Sequence, residues 1–200
     1  MPPDDAKDVR QKILDAALSL LADHGFMEVT QPKIARAAGV RQSHLTYYFP
    51  TRGELLKAVA VHSVETLLGS LAGGAVTGKL TPELFAKIAG EALADKRRAR
   101  VMLGLIVSSE EDREIKQFLR DFVLRVRATI TNIGRMLGRE PDPASIAALH
   151  MLFVGAAILN VARDDANSRR ECADIARLAI QTFLPGAGPA PAQKRKRRKT

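Results

Sequence analysis

The chain has 200 residues, 46% hydrophobic and only 4% aromatic, enough apolar material for one or two helical domains and too much for a disordered protein. The formal charge is +9, but the tail "KRKRRK" (194–199) carries most of it. Without the tail, 25 basic residues face 22 acidic ones, so the body does not by itself demand a nucleic-acid partner.

A single cysteine, Cys172, excludes an intramolecular disulfide and a thiolate metal cluster, and fits a reducing compartment. The start "MPPDDAKDVRQ" lacks an apolar signal stretch. The longest apolar run, "MLFVGAAIL" (151–159), is short for a bilayer. A soluble cytoplasmic protein is expected, with no membrane partner.

In chain order, residues 1–6 read as loose. A helix is predicted from about Asp8 to His24, with Val9, Ile13, Ala16, Ala17, Leu20 and Leu21 at helical spacing. Gly25 is the expected stop, and Phe26 and Val29 the expected core plugs behind it. Thr30 reads as the N-cap of a short helix over 31–38, with Pro32 tolerated near its start. Gly39 ends that helix, and a third covers about 41–48.

Pro50 blocks continuation. "TRGE" (51–54) reads as a capping box opening a helix over about 52–70, with Leu55, Leu56, Val59 and His62 on or near its inner side. "GSLAGGAVTGKL" (69–80), with four glycines, reads as a flexible joint. Thr81 and Pro82 restart a helix that ends near Lys96. "ARVMLGLIVSS" (99–109) is apolar nearly all round and is expected to be buried. A long helix over about 111–137 ends at Gly138 and Pro141. Asp142 and Pro143 open the next. "SRRE" (168–171) reads as a capping box for a last helix, closed by Pro185 and Gly186. The remainder reads as a disordered basic tail.

The expected fold class is therefore all-α, with about nine helices and no strands. The division is a head over 7–53, a body over 54–186 and the tail over 187–200.

Helices 31–38 and 41–48, joined through Gly39, are a helix-turn-helix candidate. Leu45, Tyr48 and Phe49 share one face, which should pack inward. Ser43 and Tyr47 centre the opposite face, flanked by His44 and Thr46, with Arg41 and Gln42 at the helix start. Glutamine can read an adenine edge, arginine a guanine or phosphate, and hydroxyls a phosphate. Amides at the start of helix 31–38, beside Thr30 and Gln31, can hold a phosphate. Arg52 is placed as a backbone clamp. From pattern alone, an ordinary solvated helix reads the same way.

The run 13–59 resembles the TetR family of one-component transcriptional regulators. The matching positions are Gly25 and Phe26, Thr30, Ile34 and Ala35, Ala38 to Val40, then Leu45, Phe49, Arg52 and Leu55. The chain departs from the family pattern at Arg41, where a small polar residue is usual, at Ser43 for glycine, at Thr46 for tyrosine and at Arg52 for lysine. Those departures bear on the operator sequence.

The resemblance implies a homodimeric repressor that binds double-stranded DNA at a palindromic operator and is released by a small-molecule effector. A constitutive or activating regulator without sensing is the alternative. It implies pairing through the last two helices (about 143–184), where Gly155, Ala156 and Ala157 permit close approach. A core role within one subunit is the competing reading of that segment.

It also implies an effector site in the middle helices. Met102, Leu105, Ile106, Phe118, Phe122 and Val126 are the candidate lining of a cavity for an apolar or weakly polar effector, or else filled core. His24, His44, His62 and His150 are widely spaced and form no metal pair, so no cofactor, metal or catalytic residue is expected. Cys172 is more simply a structural thiol than a redox switch. The basic tail either adds salt-dependent affinity for phosphates or is a solvated appendage.

Overall fold

The structure is a computed structural model describing residues 3–24 and 29–184. Nine helices order the described residues: α1 (Pro3–Asp23), α2 (Gln31–Ala37), α3 (Gln42–Tyr48), α4 (Arg52–Val76), α5 (Pro82–Ala94), α6 (Lys96–Ser108), α7 (Arg113–Met136), α8 (Pro143–Arg163) and α9 (Ala166–Phe183). No strand occurs among them. The expected roles of Gly25, Phe26, Pro185, Gly186 and the tail lie outside the described residues.

Two apolar clusters hold these helices. The first joins Ile13, Leu14, Ala17 and Leu21 of α1 to Ile34, Leu45, Phe49, Leu55, Leu56 and Val59. It also takes in Val101 and Leu105 of α6 and Ile115 and Phe122 of α7. The second gathers Leu71, Leu80, Phe85, Ile130, Ile133, Ile146, Leu149, Cys172, Ala176 and Ile180. Val126 packs against both.

Local chemistry explains most helix ends. At Thr51 the expected capping box forms: its hydroxyl accepts from the Glu54 amide, and the Glu54 carboxylate accepts from the Thr51 amide, both at 3.1 Å. Thr81 accepts from the Leu84 amide, and Asp142 from the Ala144 and Ser145 amides.

Five expectations are corrected. The helix at the N-terminus begins at Pro3, not near Asp8, because a proline at the first position gives up no internal bond. The glycine-rich segment is no joint: α4 runs through Gly69, Gly73 and Gly74 to Val76, and only Gly78 turns the chain. Burial of Leu71 and the contact of Gly74 with Leu80 outweigh the poor helix propensity of glycine. Helix α6 is buried on one side only, since Ile106 is 41% and Val107 60% exposed.

The capping box of α9 is Asp165–Ser168 rather than Ser168–Glu171. Ser168 sits one turn inside, where its buried hydroxyl donates to Asn160 Oδ1 at 2.9 Å. Finally, the apolar run 151–159 belongs to a 21-residue helix. By length and composition, α8 and α4 are both sufficient to cross a membrane.

Helix α9 crosses α5 at Gly90, where a Cβ would stand 2.9 Å from Ala173 Cα. Only glycine permits that backbone approach. Gly90→Val is expected to lower unfolding stability by about 1–3 kcal/mol. Gly69→Ala, in open space on α4, should raise it by about 0.5–1 kcal/mol. Denaturant titration of the two variants checks both signs.

Candidate nucleic-acid interface and effector cavity

The turn between α2 and α3 depends on Gly39, whose φ of +66° lies in the left-handed region. The Val40 amide then bonds the Ala35 carbonyl at 3.0 Å, closing α2 and sending the chain into α3. Leu45 and Phe49 are buried and Tyr48 is half-buried against the same cluster, as the helical wheel requires. The Arg10 guanidinium lies 5.4 Å from the Phe49 ring centroid, a further tie between α1 and α3.

The other side of α3 is open. Arg41, Gln42, Ser43 and His44 are exposed, and Tyr47 is 79% exposed. The Tyr47 ring stands edge-on to Tyr48, with centroids 5.3 Å apart. That contact props an otherwise free ring away from the surface. Thr30 occupies the N-cap position of α2 in extended backbone, but its hydroxyl makes no capping bond and is exposed.

Three sequence-predicted residues are engaged elsewhere. The Thr46 hydroxyl donates to the Gln42 and Ser43 carbonyls at 3.1 and 3.2 Å, so its proton is held within the helix. Gln31 Nε2 donates to the Phe49 carbonyl at 3.1 Å and braces the end of α3. Arg52 is exposed at the start of α4, with Nη2 3.5 Å from the Val29 carbonyl. Lys33 and Arg36 add positive charge on the exposed side of α2. The periodicity that turns Ile34 and Ala35 inward sends those two outward, a signal the sequence already carried.

In the body, a cavity of about 160 Å³ lies among α4, α5, α6, α7 and α8. Met102, Phe122 and Val126 line it, together with Leu67, Leu68, Phe85, Phe153 and Val154. The other three expected lining residues lie elsewhere: Leu105 is in the first cluster, Ile106 is exposed, and Phe118 stacks on Phe122 with ring centroids 5.4 Å apart.

Two polar side chains, Arg98 and His150, reach the cavity wall. Arg98 Nε donates to the Ser63 carbonyl at 3.0 Å, and Nη1 to Asp95 at 3.3 Å. Burial pushes the Asp95 carboxyl up, but the hydrogen bonds and charge of Arg97, with the charge of Arg98, hold it below the ordinary range. Arg127 Nε donates to His150 Nδ1 at 3.4 Å. Burial first, then the Arg127 charge, pushes His150 below the ordinary imidazole range, so the ring is neutral at pH 7.

Helices α8 and α9 leave an apolar groove lined by Met151, Leu152, Gly155, Leu159 and Ile175. Met151, Leu159 and Leu178 are each at least 60% exposed. Cys172 is buried beneath, and burial with the charge of Glu171 raises its thiol. A protonated, covered thiol is a poor nucleophile.

Residues 13–59 match the family model for bacterial regulatory proteins of the tetR family. The HTH-type transcriptional regulator BetI of Rhizobium meliloti is 30% identical over 156 residues, 74% of this chain and 75% of that protein. A transcriptional regulator from Rhodococcus sp. Rha1 superposes with TM-score 0.66 at 18% identity, covering 91% of this chain and 99% of that one. The choline complex of a regulator from Saccharomonospora viridis superposes equally well, TM-score 0.66 at 19% identity, over 88% and 96% of the two chains. With its helix-turn-helix head and nine-helix architecture, the chain belongs to the tetR family of DNA-binding transcriptional regulators.

Proposed function

We propose that the chain is a homodimeric repressor, cytoplasmic, that sits on a palindromic operator and leaves it when a small apolar or weakly polar effector fills the body cavity. The observation that carries the sensing half is the double placement of α6. Val101 and Leu105 complete the core of the head, while Arg98, Ala99 and Met102 line the cavity. Between them Arg100 Nη1 donates to the Leu21 carbonyl at 2.7 Å, gripping the end of α1. A displacement of α6 by a ligand is thereby passed to the head. The choline bound by a structural neighbour supports a body of this shape as a small-molecule receptor.

For DNA, α3 enters the major groove. Gln42 and Arg41 meet base edges or phosphates, and Ser43 lets the helix approach closely. Tyr47, His44 and Thr30 donate to phosphates, with Arg52, Lys33 and Arg36 alongside. Gln31 and Thr46 hold the reading helix in shape rather than contacting DNA. The exposed apolar face of α8 and α9 is covered by a second copy, which doubles the reading surface over two half-sites.

Footprinting on genomic fragments should give a palindromic protected site, and none at low salt would end this reading. Gln42→Ala and Tyr47→Ala are each expected to weaken specific binding by about tenfold or more in gel shifts. Arg41→Ala should also reduce the salt slope by about one. Wild-type affinity and preference in all three would remove α3 as the reader.

Leu159→Glu with Leu178→Glu is expected to convert the dimer to monomer in sedimentation and abolish the palindromic footprint. Arg100→Met should keep ligand binding but shrink ligand-induced DNA release by about 2- to 30-fold. Unchanged release would place the coupling outside α6, and operator binding that no ligand alters would favour a constitutive regulator.

A further inference from the structure

We propose that the cavity takes a small apolar molecule bearing a carboxylate or an equivalent acceptor group, and discriminates against quaternary ammonium cations. This rests on the reading of the cavity as the effector site.

The size fits one ring or a short branched chain: about 160 Å³ is close to an engineered apolar cavity that holds benzene. The small side chains of Ala89, Ala92, Ala99 and Ala157 leave that space open between larger walls.

The polarity is one-sided. No aspartate or glutamate lines the cavity among the described residues. Arg98 spends Nε on Ser63 and Nη1 on Asp95, while Nη2 has no partner among the described residues. His150 Nδ1 accepts from Arg127, and an arginine can only donate. The neutral ring therefore carries its proton on Nε2. Both polar groups at the wall are donors, and a donor left unmatched on ligand binding costs affinity.

Charge points the same way. Arg97 and Arg98 share one carboxylate, Asp95, which leaves a net positive charge at that wall. Arg127 adds another behind His150. A ligand cation would approach a wall at which guanidinium groups outnumber carboxylates. The phenyl rings of Phe85, Phe122 and Phe153 attract it within the lining, and that is the weaker effect.

Three probes of one shape test this on the full chain: benzoate, benzyl alcohol and benzyltrimethylammonium, by calorimetry and thermal shift. Benzoate is expected to bind at least about tenfold tighter than the cation. His150→Leu should weaken benzoate about tenfold, and His150→Gln, which keeps an N–H donor, should restore most of it. Arg98→Met should weaken benzoate more than benzyl alcohol, with Asp95 still held by Arg97. Circular dichroism melts establish that each variant is folded.

Equal or tighter binding of the cation, or benzoate binding indifferent to both His150→Leu and Arg98→Met, would overturn the proposal while leaving an effector site. Binding of no probe, or binding that survives filling the cavity by Phe153→Trp, would overturn the effector-site reading itself.

Discussion

The head of this protein cannot close its own core. Three helices, two of them only seven residues long, bury too little apolar surface to stand alone. Val101, Leu105, Ile115 and Phe122 of the body supply the missing wall, and Val101 and Leu105 are essentially inaccessible to water. The first core thus draws on both sides of the boundary expected at residue 53. Helix α6 packs on α1 and α4, and α7 on α4, so the base on which α2 and α3 rest is held from the body side. Gly39, Gln31 and the Tyr47–Tyr48 pair then determine how α3 is presented on that base.

A seam runs between the two cores. Val126 touches both, and the cavity opens beside it. Larger residues at the four alanines there would have merged the clusters into one rigid interior. Keeping the space costs stability, since an unfilled void forfeits dispersion contacts. Such a cost is tolerable where the rest of the wall is tied down. Here it is: Arg98 to the Ser63 carbonyl, Asn160 Nδ2 to the Ala94 carbonyl at 3.0 Å, and Ser168 to Asn160. Asn160 links the ends of α5 and α8 to the cap of α9, a buried polar hinge-pin with every partner supplied.

What could be read from the sequence was whatever is decided locally. The inward trio of α3, the Thr51 capping box, the Asp142 cap and the all-helical class follow from periodicity and cap chemistry within a few residues. What could not be read depends on partners distant in sequence. The glycines of α4 look like a joint until Leu80 and the second core are present to hold them helical. Leu105 and Phe118 share the apolar character of Met102 and Phe122, so composition cannot say which core each enters. Thr46 and Gln31 carry groups suited to phosphate contact, yet the carbonyls of Gln42 and Ser43 claim the one and that of Phe49 the other. Arg98 and Asn160 were invisible for the same reason: their roles exist only where α4, α5 and α8 converge.

Helix α8 shows how one sequence feature acquires its meaning only from its surroundings. Length and hydropathy alone would let it cross a membrane. Its inner side nevertheless carries His150 and Asn160, both hydrogen-bonded within the body, and it packs against α6 and α9. Those polar ties fix which side faces inward and leave Met151, Leu152 and Leu159 outward. An apolar face that is fixed in orientation, edged by the small residues Gly155 and Ala156 and shared with Ile175 of α9 is suited to a rigid protein partner. Two-fold repetition of that face supplies its own complement. In the proposed dimer, the spacing of the two reading helices would be a property of the same α8 that forms one wall of the cavity. The proposed effector and the proposed dimer therefore bear on one element from opposite sides.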